Sequence, residues 1–64
     1  MRTEEFHLMC YKEYEDYYLR DAFIKGKIYR VQRFNGFEFY IQDENDRWLS
    51  TDIHGVRNHF TEPR

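Results

Sequence analysis

The clearest pattern in this chain lies in residues 24–48, where two β-rich runs flank Asn35-Gly36 and a second polar turn follows. Both runs alternate apolar and polar residues with a period of two, the signature of half-buried strands. A two-residue Asn35-Gly36 loop would pair Phe34 with Phe37 and put Tyr29 and Val31 on the face that carries Glu38 and Tyr40. A three-residue loop, Phe34-Asn35-Gly36, changes the parity. It pairs Arg33 with Phe37, Val31 with Phe39 and Tyr29 with Ile41, giving one apolar face. The opposite face then sets Arg30 against Tyr40 and Gln32 against Glu38. This register calls for a left-handed Gly36 in a bulged turn.

The elements around this hairpin are short. Phe6 to Lys12 reads as a strand with Phe6, Leu8 and Cys10 on one face. The alternative is a helix through Phe6, Cys10, Tyr14 and Tyr17, which would put Glu13 and Arg20 inside its apolar arc. Asp43-Glu44-Asn45-Asp46 forms a second turn, followed by a strand from Arg47 to Thr51. Asp52 to Asn58 reads as a loop or a single helical turn around Gly55. His59-Phe60 makes a short last strand before Pro63 ends the ladder. Five short strands in one domain of 64 residues describe an all-β, strongly bent small barrel. The barrel spans 6–60, with ends 1–5 and 61–64 expected to be flexible.

Composition bears on how so short a chain folds. Aromatic residues make up 20% of it, and their large buried area compensates for a small core. With 34% charged residues and no long apolar run, a membrane span is excluded. MRTEEF carries no signal-peptide pattern, and the single cysteine, Cys10, has no internal partner. A cytoplasmic location is expected, with Cys10 as a buried apolar residue. The net charge of -2 hides blocks: residues 1–22 sum to -3, 23–42 to +3 and 43–64 to -2. A chain so balanced lacks the broad basic surface of a non-specific nucleic-acid binder. The separated blocks also allow self-association, so a homodimer is one expected partner.

FIKGKIYRV, FEFYIQDENDRW and the terminal HFTEP resemble the small SH3-like barrels common among phage and prophage proteins. The resemblance implies a five-stranded SH3-like barrel with a long loop between its first two strands. It implies a core of Tyr29, Val31, Phe39, Ile41 and Phe60 and a turn at Gly26-Lys27. It implies a phage accessory role in the host cytoplasm and carries over no catalytic residue. The loop before Gly26 departs from the family pattern in its length and in its tyrosine and acid content.

That loop is the leading candidate site. Tyr11, Glu13, Tyr14, Glu15, Asp16, Tyr17 and Tyr18 form a tyrosine-rich acidic segment, and tyrosine suits interfaces because it combines a rigid ring with a hydroxyl that tolerates water. Four tyrosines cannot all enter so small a core, so this segment is expected to bind a protein partner, a host or defence factor. Its carboxylates would stand in for phosphates. The bland reading is a solvated loop with Tyr17 and Tyr18 tucked onto the barrel. A second candidate is a nucleic-acid surface made of Lys27, Arg30, Arg33, Tyr40 and Trp48, against which stands an ordinary solvent face with Trp48 as a lid on the core. A third is an oligomer that sequesters a small charged ligand between its subunits.

His7, Cys10, His54 and His59 fall near zinc-ligand spacing. On a strand, however, His7 and Cys10 point to opposite faces, so neither a metal nor a cofactor is expected. Ser50, Thr51, Asp52 and His54 supply the atoms of a hydrolytic set without a pocket to hold them. No enzymatic activity is expected.

Overall fold

The computed structural model describes residues 3–63. Its elements are β1 (Glu4–Cys10), β2 (Ile28–Arg33), β3 (Phe39–Gln42), β4 (Trp48–Thr51), α1 (Ile53–His59) and β5 (Phe60–Thr61). The strands form one antiparallel five-stranded sheet in the order β4-β3-β2-β1-β5, curled into a half-barrel. The chain is therefore mostly β, and its first run is a strand and not a helix. Strand pairing begins at Glu4 and runs to Thr61, so parts of the expected flexible ends belong to the sheet. Met1, Arg2 and Arg64, the outermost residues of those ends, lie outside the described residues.

Alternation places the core as the sequence suggests. Leu8 and Cys10 from β1, Tyr29 and Val31 from β2, and Phe39 and Ile41 from β3 are all buried. Burial also pushes the Cys10 thiol up from its ordinary pKa, which keeps it protonated. Val56 on α1 and Phe60 on β5 close the open side. The central residue is Phe23, fully buried in the segment between β1 and β2. Its ring meets Tyr29 at 5.0 Å and Phe60 at 5.2 Å, both edge to face.

The hairpin keeps the expected parity and moves its closing point. Val31 pairs with Ile41, Gln32 with Tyr40 and Arg33 with Phe39. The Phe34 N–H donates to the Glu38 carbonyl at 3.1 Å, so Asn35, Gly36 and Phe37 form the turn. Phe37 is thus 77% exposed and does not pair with Arg33, and Tyr40 faces Gln32, not Arg30. The cause is Asn35. Its Oδ1 accepts the N–H groups of Phe37 at 2.7 Å and Glu38 at 3.0 Å, an Asx turn that closes the loop through a side chain. Gly36 consequently has no left-handed φ to adopt.

The left-handed glycine is Gly26, at φ 90°. It is the third residue of a turn in which the Lys27 N–H donates to the Ile24 carbonyl at 3.1 Å, a position that excludes most side chains. Gly26 and Lys27 together face Cys10: the Cys10 N–H donates to the Lys27 carbonyl and the Gly26 N–H to the Cys10 carbonyl. This bulge bends β2 as it enters the sheet. The segment after β4 forms a seven-residue helix, longer than the single turn expected. Asp52 caps it by accepting the Gly55 N–H at 3.0 Å, and that bond holds the Asp52 carboxyl below its usual range. Gly55 approaches β4 closely: a Cβ there would lie 2.1 Å from Thr51 Oγ1.

Candidate interaction site

The segment from Tyr11 to Lys27 is held from both ends. At its start, the N–H groups of Tyr11 and Lys12 donate to the His59 carbonyl at 2.8 and 3.4 Å. The His59 ring answers with Nδ1 2.8 Å from the Lys12 carbonyl, which requires the proton on Nδ1. The Tyr11 hydroxyl donates to the Arg57 carbonyl at 2.5 Å. Tyr14 turns inward and stacks on His59 with centroids 3.8 Å apart. Its hydroxyl is buried and, among the described residues, has no hydrogen-bond partner. Burial pushes its pKa up to about 12.

The far end is clasped by the β3–β4 turn. The buried Tyr29 hydroxyl accepts the Ile24 N–H at 2.7 Å and donates to Glu44 at 3.0 Å. Glu44 in turn pairs with Lys27 at 3.1 Å, and its N–H donates to the Ala22 carbonyl at 2.9 Å. The bonds from Lys27 and Tyr29 keep the Glu44 carboxyl below its usual range. Burial pushes the Tyr29 hydroxyl up to about 12.

Between these clasps, Asp16 starts one helical turn. Its Oδ1 accepts the Tyr18 N–H at 2.7 Å, and its carbonyl accepts the N–H groups of Leu19 and Arg20. The turn sends Leu19 toward the core and leads to buried Ala22 and Phe23. With those anchors inward, the intervening side chains face out. Tyr17 is 74% and Tyr18 85% exposed, with their rings edge to face at 5.5 Å. The Arg20 guanidinium lies over the Tyr17 ring at 5.2 Å. Glu13, Glu15 and Asp21 are exposed, and no ion pair among the described residues includes them.

The seven loop residues singled out from the sequence therefore split into two groups. Tyr11 and Tyr14 are braces, whereas Tyr17 and Tyr18, with Glu13, Glu15 and Asp16 beside them in sequence, form the presented surface. The tuck of the bland reading is absent, since Tyr14 goes inside and Tyr17 and Tyr18 stay out. Sequence reasoning missed Phe23, the anchor that orders the loop. The signal available was Ala22-Phe23-Ile24, an apolar trio directly before Gly26. A groove of about 560 Å³ lined by Met9, Tyr11, Arg57, Phe60 and Thr61 opens beside the Tyr11 brace.

The basic hairpin set is arranged differently. Lys27 pairs with Glu44 at 3.1 Å, Arg30 with Glu5 at 3.5 Å and Arg33 with Glu4 at 2.6 Å. Tyr40 is half-buried, edge-on to Phe34 at 4.9 Å. Trp48 is 39% exposed on this outer face, where it lines a groove of about 270 Å³ with Gln32, Phe34 and Tyr40. It is not a lid on the core. His7 is exposed and Cys10 buried on β1, and no three His, Cys, Asp or Glu side chains among the described residues gather as metal ligands. Asp52 is committed to the helix cap. No helix among the described residues is long and apolar enough to cross a membrane. Compared with family models, with curated proteins and with solved structures, the chain matches none.

Proposed function

We propose that this chain is a small phage-type accessory protein with an SH3-like barrel that acts by binding a host or defence protein. The carrying observation is the pinned loop. Tyr17 and Tyr18 stand in solvent on a segment fixed from behind by Tyr14, Leu19 and Phe23, so little ordering entropy remains to be lost on docking. The carboxylates of Glu13, Glu15 and Asp21, exposed and without an ion-pair partner among the described residues, lend the same surface a negative field. Its complement is a basic protein surface of the kind that holds nucleic-acid phosphates. The chain would act there as a competitor.

The strand order β4-β3-β2-β1-β5, the helix between the last two strands and the long segment between β1 and β2 support the SH3-like reading. The nucleic-acid alternative has no comparable support, because Lys27, Arg30 and Arg33 each have a glutamate partner.

Affinity capture from host lysate, with variants as controls, tests the proposal. A captured protein that is lost on combined Tyr17→Ala and Tyr18→Ala, retained on Arg30→Glu and released by the competing nucleic acid would support it. Hot-spot tyrosines at the centre of such an interface cost about 2 kcal/mol each, roughly a thirtyfold loss in affinity. Capture that is indifferent to the loop variant, or oligonucleotide binding abolished by Arg30→Glu, would sink it.

A further inference from the structure

At the sheet edge formed by β4 the backbone is unpartnered. The Asp43 N–H donates to the Arg47 carbonyl at 2.8 Å, and the register continues through Ile41 with Leu49 and Phe39 with Thr51. In an antiparallel ladder hydrogen-bonded pairs alternate with pairs whose groups point away. The N–H and C=O groups of Trp48 and Ser50 therefore point away from β3, toward the open edge. Among the described residues none of these groups is hydrogen-bonded, and Ser50 is exposed. Sheet edges of this kind are usually protected by charge or proline. The free length of β1 beyond β5 carries such guards in Glu4, Glu5 and His7. The β4 sequence, Trp48-Leu49-Ser50-Thr51, has neither charge nor proline.

We infer that this edge pairs with the β4 strand of a second copy, antiparallel about a two-fold axis at Leu49. In that register Trp48 of each copy faces Ser50 of the other at hydrogen-bonding positions, each N–H donating to the facing carbonyl. The side chains are self-complementary too. Ser50 lies opposite Tyr40 in its own sheet, and its small side chain leaves room on the outer face for the incoming Trp48 ring. On the inner face, half-buried Leu49 meets its symmetry mate. No like charges meet within the ladder. At each end Arg47 comes opposite Thr51 of the second copy, and Asp46 reaches Asp52 only beyond the paired residues, where both carboxylates are exposed and screened by solvent. The interface is small, so the dimer is weak and populated only at high micromolar protein and above. It lies at the far edge of the sheet order from β1 and β5, and each dimer presents two tyrosine loops.

Sedimentation and fluorescence across a concentration series test this directly, because Trp48 is the single tryptophan of the chain. The mass should approach twice the 8.1 kDa of the chain while Trp48 emission moves to shorter wavelength over the same range. Ser50→Pro removes an outward N–H that β3 does not use, and Ser50→Lys places charge at the seam. Each should weaken association about tenfold or more and abolish the emission shift. If proline costs the fold, Ser50→Lys decides. Combined Tyr17→Ala and Tyr18→Ala should leave the dimer intact. A monomer at every concentration, or a dimer indifferent to Ser50→Lys with constant emission, overturns the inference. A dimer lost in the tyrosine variant also overturns it, because the interface then lies in the loop.

Discussion

In the hairpin, Lys27, Arg30 and Arg33 each meet a glutamate, whereas in the loop the exposed Glu13, Glu15 and Asp21 have no ion-pair partner among the described residues. On the strands of the hairpin Tyr29 and Phe39 are buried, while in the loop Phe23 is the buried anchor and Tyr17 and Tyr18 stand on a surface that the fold works to hold still. The contrast teaches where to look for function in a domain this small. A region that satisfies its own charges has little left to offer a partner. A region that is ordered without using its outward groups has those groups free for one.

The largest test of this contrast sets Phe23 against Tyr17 and Tyr18. Phe23→Ala removes a fully buried ring that contacts Tyr14, Tyr29 and Phe60, and should cost about 3–5 kcal/mol. For a domain whose total stability is on the order of 5 kcal/mol, that is close to unfolding. Combined Tyr17→Ala and Tyr18→Ala should stay within about 0.5 kcal/mol of the parent in urea denaturation. A large loss from the exposed pair would mean that those rings support the fold and are not available for binding.

The comparison also explains what was legible in the sequence. Strand alternation was legible, because a period of two marks Leu8, Cys10, Val31 and Ile41 as core whichever residue closes the turn. The exact turn was not, because Asn35 has two ways to close a hairpin, through a left-handed backbone or through its side-chain oxygen, and it uses the second. A shift of one residue on each side preserves the faces and expels Phe37. The loop was legible as the candidate site but not in its sorting of tyrosines. Which ring goes inside depends on His59, 45 positions from Tyr14 in the numbering, and no local pattern reports that stacking. The glutamate partners of the basic set come from β1 and the second turn and are likewise not local in sequence.

A middle-sized effect separates the two clasps of the loop. Tyr29→Phe strips the Ile24 N–H of its acceptor and Glu44 of a donor, and should cost about 1–3 kcal/mol. Alkaline pH probes the same group. The protonated phenol is neutral, and burial favours it, so the folded value of about 12 lies above the ordinary 10.0. The resulting stabilisation is complete below pH 10 and is lost as pH rises through 10 toward about 12. Unfolding followed by circular dichroism over that window should show the loss, and Tyr29→Phe should flatten its slope. A parent protein whose stability does not change across the window would contradict the burial of this hydroxyl.

Tyr14 carries the smallest effect and the sharpest sign. Like Tyr29, it is a loop-fixing tyrosine with a pKa pushed up to about 12 by burial. Unlike Tyr29, its hydroxyl has no partner among the described residues, so its oxygen bears a desolvation cost with nothing to offset it. Tyr14→Phe keeps the ring, the 3.8 Å stack on His59 and the contact with Phe23. The variant should therefore be neutral or more stable by up to about 1 kcal/mol, the reverse of Tyr29→Phe. It should also remove part of the alkaline loss, since one fewer buried phenol has to ionise. Because Tyr14 braces the loop through its ring and not its hydroxyl, partner capture should survive the change. A clear destabilisation would instead reveal that the hydroxyl is hydrogen-bonded, and the loop would then be held by polar contacts at both ends and not by packing at one.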